Sequence, residues 1–260
     1  MKILITGHRG FIGQNMVKEL AEHELSFYEW GEDAPKVKGL DWVIHLGAIS
    51  STTEKNVEKI MTQNYEFSKW LLHECIDAGV NFQYSSSASV YGLNTDFRED
   101  APKNPMSPYA WSKFLFDRYV EQLGQTYISI QGFRYFNVFG KHENHKGDQA
   151  SPYHKFTKQA KELGKIKLFT GSDKFLRDFV PVDYVCKLHK MFLKNNLSGI
   201  WNVGTGRATS FESVARMIAE SLNAKVEYVP MPDHIKSQYQ TYTCADLTKL
   251  KATIREKNLC

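Results

Sequence analysis

Two residues of complementary chemistry, Tyr109 and Lys113, stand four positions apart near the middle of the chain. Residues at this spacing share one face of a helix. A lysine ammonium on that face can lower the pKa of the phenol and bind a ribose, so that the tyrosine works as an acid and a base near neutral pH. An exposed pair on an ordinary helix would look the same, so the interpretation needs a second signal.

A run of serines upstream gives that second signal. Ser85, Ser86 and Ser87 end or follow the run over 81–85, which the pattern predicts to be a strand. In a parallel sheet, a hydroxyl at the carboxyl end of a strand lies where these sheets bind ligands. We therefore predict that a hydroxyl of this run can hydrogen-bond a substrate oxygen beside Tyr109.

Three glycines near the start of the sequence could hold a phosphate. Gly7, Gly10 and Gly13 come directly after an apolar run over 2–6 and open a helical pattern. Glycines let the backbone turn sharply and approach a pyrophosphate, whose charge is met by the helix N-terminus. The spacing is GxxGxxG rather than GxGxxG, and a plain glycine turn is the alternative. Its place between a first strand and a first helix favours dinucleotide binding.

Strand and helix patterns alternate along the chain, which predicts an α/β fold with a doubly wound parallel sheet. After Gly140 the sequence becomes polar and rich in His, Lys and Asn. We predict a dinucleotide-binding domain over 1–140 and, over 141–260, a smaller, mostly substrate-binding lobe that is interleaved with the sheet. The predicted strands are 2–6, 25–30, 42–46, 81–85, 128–135, 166–169, 201–203 and 226–229. The predicted helices are 11–21, 57–78, 109–123, 153–163, 182–194 and 211–222.

The link between the second and third predicted strands is short. Only residues 31–41 separate them, whereas a parallel crossover with its own helix needs a dozen residues or more. We expect an extended loop here, with the second strand at a reduced edge of the sheet.

Composition excludes several classes of protein. The chain has 260 residues, of which 42% are hydrophobic and 24% charged, as in a globular protein. No stretch approaches the roughly 20 apolar residues of a membrane span, and the start of the sequence does not resemble a signal peptide, so we expect no membrane partner and a cytoplasmic location. The net charge of +4 is mild and scattered, which argues against nucleic acid. Cysteines and histidines show no metal-ligand spacing, so we expect no metal.

Taken together, these motifs resemble the extended short-chain dehydrogenases/reductases, the NAD-dependent epimerase/dehydratase family, which act on nucleotide sugars and have a Rossmann-like fold. The resemblance lies in segments 6–13, 85–92, 109–113 and 132–138. Within that family the chain is most similar to the ADP-L-glycero-D-manno-heptose 6-epimerases, through segments 51–54, 112–117, 133–138, 145–147, 177–180, 204–208 and 239–240.

The resemblance implies roles for individual residues. Ser87, Tyr109 and Lys113 would be the catalytic residues, with Lys146 as a second acid/base opposite the tyrosine; a solvated loop lysine is the alternative for Lys146. The arginine fork of Arg177 suits a diphosphate, and His154 could equally be an exposed helix residue. Besides the three glycines, Tyr109 and Lys113, the residues expected to line the cofactor are Phe11, Ile12, Gly47, Ala48, Asn64 and Val138. The residues expected to contact the nucleotide sugar are Ser87, Asn137, His154, Phe169, Gly171, Ser172, Arg177 and Tyr239.

The choice of cofactor rests on few residues. Glu29 ends the second predicted strand, where a carboxylate binds the free ribose hydroxyls of NAD. Arg9, between the glycines, could instead meet a 2′-phosphate, as Lys36 or Lys38 could. The heptose epimerase resemblance favours NADP, and we predict NADP by a narrow margin, with NAD as the alternative.

The function predicted on this basis is an NAD(P)-dependent epimerase that acts on a nucleotide-diphosphate sugar through transient oxidation to a ketone. A nucleotide-sugar reductase or dehydrogenase of the same family is one alternative. Dehydration is disfavoured, because Ala88 and Ser89 stand where dehydratases carry acidic residues. A non-catalytic dinucleotide-binding protein is the other alternative. A homodimer or larger assembly through helices 57–78 and 109–123 is a further hypothesis.

Three departures from the family pattern bear on this function. The link over 31–41 lacks a segment that the family normally has. The sequence ends soon after 246–250, where relatives continue into a terminal helix. Asp148 stands where the heptose epimerases have a small hydroxyl residue.

Overall fold

Twelve strands and eight α-helices make up most of the fold in the computed structural model, which describes residues 1–51, 54–232 and 240–259. In chain order the strands are Lys2–Thr6 (β1), Glu24–Tyr28 (β2), Trp42–His45 (β3), Asn81–Ser87 (β4), Ile130–Tyr135 (β5), Asn137–Phe139 (β6), Lys165–Phe169 (β7), Leu176–Pro181 (β8), Gly199–Val203 (β9), Ala208–Ser210 (β10), Lys225–Val229 (β11) and Tyr242–Thr243 (β12). The helices are Phe11–Glu19 (α1), Val57–Ile60 (α2), Phe67–Ala78 (α3), Pro108–Leu123 (α4), Pro152–Leu163 (α5), Val182–Phe192 (α6), Phe211–Ser221 (α7) and Thr248–Glu256 (α8).

A six-stranded parallel sheet in the order β2-β1-β3-β4-β5-β9 forms the centre of the molecule. Successive side chains of a strand point to opposite faces, and β1 shows the consequence. Ile3 and Ile5 pack with α1 and α6 on one face, whereas Leu4 packs with α3 and α4 on the other. Because both faces are covered, the inner strands bury most of their side chains. The buried polar side chains among them, such as His45, Gln83 and Arg134, are hydrogen-bonded. The predicted doubly wound α/β fold is confirmed.

The short link over 31–41 contains neither a helix nor a strand. As expected, β2 lies at the end of the sheet, where β1 is its partner. Glu24, Ser26 and Phe27 on this strand are exposed.

Two smaller sheets accompany the large one. β8 pairs with β10, β12 and β6, and β7 pairs with β11. Helices α5 and α7 pack together with β7 around a separate apolar cluster that includes Phe156, Leu168 and Ile218. The strands β6, β8, β10 and β12 are absent from the sequence prediction.

Residues after 140 also contribute to the large sheet. Strand β9 pairs with β5, and residues of α6 share an apolar cluster with residues of α1. This arrangement is compatible with the predicted interleaving, while the boundary at 140 stays a prediction. Helix α8 packs on the same region, since Leu250 is buried there and Thr253 Oγ1 accepts a hydrogen bond from Trp201 Nε1 at 3.0 Å.

Three local predictions need correction. The sequence analysis places no helix beyond 246–250, but Thr248–Glu256 forms α8. The region 57–78 is predicted as one α-helix, but residues Met61–Glu66 form a π-helix between α2 and α3. The region 141–151 is predicted as a polar loop, but Asn144–Gln149 forms a 3₁₀ helix that kinks at Gly147. Within the described ranges, no helix is long and apolar enough to cross a membrane.

Candidate active site

Helix α4 presents Tyr109 and Lys113 to a cavity at the carboxyl ends of the parallel strands. Ser107 caps the helix by accepting a hydrogen bond from Ala110 N at 3.2 Å, and Pro108 occupies the first turn, where a missing N–H costs nothing. These features start the helix immediately before Tyr109. Both Tyr109 and Lys113 line the cavity, so the predicted helical pairing is what the structure has.

The Lys113 ammonium is tied to the end of β4. Its Nζ donates to the Ser85 carbonyl oxygen at 2.8 Å and lies 3.4 Å from Ser85 Oγ. The side chain is buried, and burial lowers the pKa of Lys113 to about 8. The ammonium is therefore held between helix and strand in a setting where losing its proton is unusually easy.

The pKa of Tyr109 does not follow the sequence prediction. Burial raises the pKa of the phenol, and a hydrogen bond with Ser87 opposes that rise. The expected lowering by Lys113 is not found, because desolvation of the phenolate is the largest influence on this pKa and the ammonium is directed at Ser85. In the protein alone, Tyr109 is an acid that holds its proton.

Strand β4 carries Ser87 to the same region. The strand runs two residues further than predicted, and Ser87 Oγ accepts a hydrogen bond from Ser89 N at 3.2 Å as a 3₁₀ turn begins. The Ser87 side chain is hydrogen-bonded to Tyr109. Ser87 is not among the residues that line the cavity.

The glycine turn between β1 and α1 forms another wall of the cavity. Gly7 has φ +72°, and a Cβ there would lie 2.6 Å from the Cα of Gly47, so the two strand ends approach closely. A Cβ at Gly13 would collide with the Gly7 carbonyl oxygen. Gly10 precedes α1 and offers no side-chain cap, which leaves the first amides of the helix free to meet an anion. This backbone suits a pyrophosphate.

The cavity has a volume of about 500 Å³. Eleven predicted site residues line it: Gly7, Gly10, Phe11, Ile12, Gly13, Glu29, Gly47, Ala48, Tyr109, Lys113 and Lys146. Ser85 and Ser86 of the predicted serine run also line it. Other lining residues that the sequence analysis did not single out lie at or just beyond the carboxyl ends of strands: Thr6, Tyr28, Trp30, Leu46 and Tyr135. Applying the strand-end rule to every predicted strand, and not only to the serine run, would have identified most of them. The remaining lining residues are Ile49, Ser50, Ser51, Gln63, Phe67, His145 and Gln149.

Glu29 and Arg9 are oriented differently toward this cavity. The Glu29 carboxylate lines it, accepts a hydrogen bond from Arg9 N at 2.7 Å, and lies 3.1 Å from His8 Nδ1. The Arg9 guanidinium is largely exposed and lies 3.3 Å from Glu32 Oε1. A carboxylate therefore faces the cavity at the end of β2, while the nearby guanidinium is engaged at its rim.

Lys146 is not the solvated loop lysine of the alternative interpretation. It lies in the 3₁₀ helix over 144–149, lines the cavity, and places Nζ 5.0 Å from the centre of the Phe11 ring. Burial lowers the pKa of its ammonium, with Glu143 opposing the change. Lys146 thus shares a cavity with Tyr109 although it belongs to a different part of the chain.

Two residues predicted to line the cofactor stand behind the cavity wall. Asn64 lies in the π-helix, and its side chain bonds both the N–H and the carbonyl of Ile49 at 2.8 and 2.9 Å. Val138 on β6 packs against the apolar clusters of the large sheet. Asn64 therefore holds the backbone of the lining residue Ile49 from behind the cavity wall.

Those residues predicted to contact the sugar that the structure describes are not among the residues lining this cavity. Asn137 Nδ2 donates to the Asp178 carbonyl at 3.3 Å and to Thr243 Oγ1 at 3.2 Å. The guanidinium of Arg177 donates to the carbonyls of Leu176 and Gln240. These contacts place both residues in the sheet around β8.

The other sugar-contact candidates lie on the neighbouring elements. Phe169 ends β7, and Gly171, with φ +85°, leads into the 3₁₀ turn that begins at Ser172. The Ser172 hydroxyl is buried without a hydrogen-bond partner in the described part of the chain. His154 is half-buried in the first turn of α5. Tyr239 lies outside the described residues.

Within residues 1–51, 54–232 and 240–259, no group of three or more His, Cys, Asp or Glu side chains could hold a metal ion.

A family model for the NAD dependent epimerase/dehydratase family matches residues 28–204. The match spans more than half of the sequence, including β4, α4 and the 3₁₀ helix that carries Lys146.

Solved structures agree with this match. The ADP-L-glycero-D-manno-heptose-6-epimerase of Helicobacter pylori is 26% identical with a TM-score of 0.85, over 99% of this chain and 90% of that one. The UDP-glucose 4-epimerase of Thermus thermophilus, in complex with NAD, is 26% identical with a TM-score of 0.81, over 97% and 93%. The UDP-N-acetylglucosamine 4-epimerase of Methanobrevibacter ruminantium is 22% identical with a TM-score of 0.86, over 96% and 90%, a likeness of fold alone.

Proposed function

Because the chain belongs to the NAD-dependent epimerase/dehydratase family, we propose that it is a nucleotide-sugar epimerase that works by transient oxidation to a ketone, with a substrate like that of the ADP-heptose 6-epimerases. The observation that carries the proposal is the meeting of Tyr109, Lys113 and Lys146 on one cavity with the glycine turn. The likeness to the Helicobacter pylori enzyme supports the choice of sugar. The bound partner would be a nucleotide-diphosphate sugar.

The residues around the cavity fit a dinucleotide. The amides at the start of α1 would hold the pyrophosphate, and Glu29 would accept hydrogen bonds from a ribose. The sequence argument favours NADP narrowly over NAD, but the position of Glu29 in the structure favours NAD. A carboxylate facing the cavity would repel a 2′-phosphate, whereas Arg9 is paired with Glu32 at the rim. We therefore assign NAD as the preferred cofactor.

Tyr109 is the group proposed to move the substrate proton. Tyr109 would first lose its own proton, and its phenolate would then take the proton of a sugar hydroxyl as the attached carbon becomes a ketone, while Ser87 would hydrogen-bond the same oxygen. Lys113 would stabilise the phenolate by its charge and hold a ribose. When bound, a nicotinamide supplies a reversible acceptor for the carbon-bound hydrogen and its electron pair.

Epimerisation requires the hydrogen to return to the opposite face of the carbon. Lys146 belongs to a different segment from Tyr109 and faces the same cavity, so it could serve as the acid when the ketone presents its other face. The proton and the hydrogen with its electron pair are both restored, and no net oxidation results. Neither residue after Ser87, Ala88 or Ser89, could expel water as a carboxylic acid would.

The experiment that tests the proposal identifies the resident nucleotide and the product. Native mass spectrometry of the purified protein should show NAD, and incubation with ADP-heptose and UDP-hexoses should give an epimer, detected by NMR, without net NADH formation. Tyr109→Phe is the matched control and should give no epimer. Stoichiometric consumption of NADH with a keto-sugar would replace the epimerase with a reductase, and binding without turnover would leave a dinucleotide-binding protein. Light scattering on the same sample tests the homodimer hypothesis.

A further inference from the structure

His45, at the end of β3, is a buried titratable residue that the proposed chemistry does not use. It is only 2% exposed, and both ring nitrogens are occupied. Nδ1 lies 2.7 Å from Thr6 Oγ1 on β1, and Nε2 lies 2.8 Å from Ser68 Oγ on α3. One imidazole therefore connects two strands of the sheet to the helix that covers them.

The partners of His45 determine which nitrogen carries the proton. The Ser68 hydroxyl donates to the Asn64 carbonyl at 2.6 Å, so it must accept from His45 Nε2–H. The unprotonated Nδ1 then accepts from the Thr6 hydroxyl. Thr6 Oγ1 in turn accepts from Gly47 N at 3.1 Å. The hydrogen bonds run in one direction, from Gly47 through Thr6, His45 and Ser68 to Asn64.

The neutral form of the imidazole is favoured by its surroundings. Burial lowers the pKa of His45 to about 3, and the Lys113 charge acts in the same direction. The rings of Phe67 and Phe82 are the aromatic neighbours, with centroids 5.7 and 6.0 Å away. A neutral imidazole with one donor and one acceptor is what a one-way chain requires.

Asn64 extends the chain to both walls of the cavity. Its side chain bonds the backbone of Ile49 in the lining segment 46–51, and its Nδ2 also donates to Ser112 Oγ at 3.1 Å. Ser112 Oγ donates to the Tyr109 carbonyl at 2.8 Å. Asn64 can face both sides because it lies in the π-helix, a local widening that is frequent at functional sites.

We infer that His45 is a positioning residue that couples the cofactor-lining segment 46–51 to the start of the catalytic helix through Thr6, Ser68, Asn64 and Ser112. The inference rests on the proposed function. Its physical basis is that, without the imidazole, Thr6 and Ser68 each lose a buried hydrogen-bond partner. The Gly47 amide then rests on a hydroxyl that is no longer held, and Asn64 keeps only its own bonds to Ile49 and Ser112. Displacements of about 1 Å at such a site cost roughly 100-fold in rate.

The test compares variants that break the chain with a matched serine variant outside it. Ser68→Ala removes the acceptor of His45 Nε2–H, while Ser129→Ala removes a buried serine at the start of β5. His45→Phe removes the hydrogen bonds to both Thr6 and Ser68. His45→Gln keeps a side chain that can donate and accept, and should restore part of the lost activity. We expect roughly 100-fold lower kcat and about tenfold weaker binding of ADP-ribose, measured by calorimetry, for His45→Phe. Ser68→Ala should show smaller losses of both, and Ser129→Ala neither.

Two results can overturn the inference. Nitrogen-15 NMR of the imidazole should show Nε2 protonated and Nδ1 unprotonated; the opposite tautomer contradicts the chain. Equal effects of Ser68→Ala and Ser129→Ala, at equal thermal stability, would reduce His45 to a core residue. If the His45→Phe variant fails to fold, the comparison of Ser68→Ala with Ser129→Ala tests the inference instead. Binding of ADP-ribose is measurable even if no sugar is turned over, so failure of the epimerase proposal is distinguishable from failure of this one.

Discussion

The guanidinium of Arg134 and the carboxylate of Asp117 form a buried ion pair, with Nε 2.7 Å from Oδ2 and neither side chain more than 2% exposed. Asp117 also accepts hydrogen bonds from Tyr84 OH at 3.0 Å and Ser86 Oγ at 2.9 Å. The pair therefore joins α4, β4 and β5 directly behind the proposed catalytic residues. Ser86 stands between Ser85 and Ser87, so this contact fixes the strand end that Lys113 and Tyr109 use.

Replacing one partner of this pair should destabilise the fold strongly. Arg134→Met leaves an uncompensated buried carboxylate, which costs about 3–5 kcal/mol. Urea unfolding of the wild type, the single variant and the double variant Arg134→Met with Asp117→Leu measures this cost. The double variant should recover part of the loss, because no unpaired charge remains. A single-variant loss below about 1 kcal/mol would mean that solvent reaches the pair.

Removal of the Tyr109 hydroxyl should separate chemistry from binding. Tyr109→Phe keeps the ring and the helix but loses the proton carrier, and general acid–base groups typically contribute 10²–10⁴-fold. We expect kcat for epimerisation to fall by about that factor, measured by NMR of the product. ADP-ribose affinity, measured by calorimetry, should change less than about twofold, because the hydroxyl is proposed to act on the sugar substrate and not to hold the dinucleotide. A parallel loss of both would show that Tyr109 mainly supports the cavity.

The pH dependence of turnover should report the charge of Lys113. Its ammonium is present below a pKa of about 8 and is lost as the pH rises through that value. We therefore expect kcat/KM to decline above about pH 8, because the neutral amine no longer stabilises the Tyr109 phenolate. Lys103 is a suitable control, since burial also lowers its pKa to about 8 but it does not line the cavity. The Lys103→Met variant should retain the decline of kcat/KM. Loss of the decline in that variant would show that it reports the charge of Lys103 rather than that of Lys113.

Cofactor preference should depend on Glu29. Glu29→Gln keeps an acceptor for the Arg9 amide but removes the negative charge that faces the cavity. We expect the ratio of NAD to NADP affinity to fall by about tenfold, or ~1.4 kcal/mol. Glu32→Gln is the matched control, since its carboxylate contacts Arg9 at the rim. Similar changes in the two variants would point to a diffuse field rather than to a contact at the ribose.

The alternating sheet was predictable because its signal is local. The strand β1 and the glycines after it show both the apolar run and the turn residues, and the length of the 31–41 link alone places β2 at the edge. Strand β8 has no such signal. Its Arg177 and Asp178 are polar yet buried, and the partners of Asp178, the amides of Thr205 and Gly206 at 2.8 Å, are distant in sequence.

The residues of the candidate site also differ in whether the sequence predicts them. Tyr109, Lys113 and the glycines have fixed spacings within one element, so the sequence predicts them to lie together. His45 shows no comparable pattern, because its importance depends on hydroxyls from β1 and α3 that meet only in the fold. The π-helix is also invisible in the periodicity of 57–78, since the apolar stripe continues on either side of it.

The short link beside β2 has a consequence for how the protein behaves at high concentration. A strand with an unpaired outer edge is a template for pairing with another chain, and sheets that end in such a strand risk aggregation. Here the edge is only five residues long and exposes Glu24 and Ser26, features that discourage strand addition. The negative charge and the short length of this edge would then disfavour self-association of the protein. The Glu24→Val variant would be expected to precipitate more readily, with the candidate site unchanged.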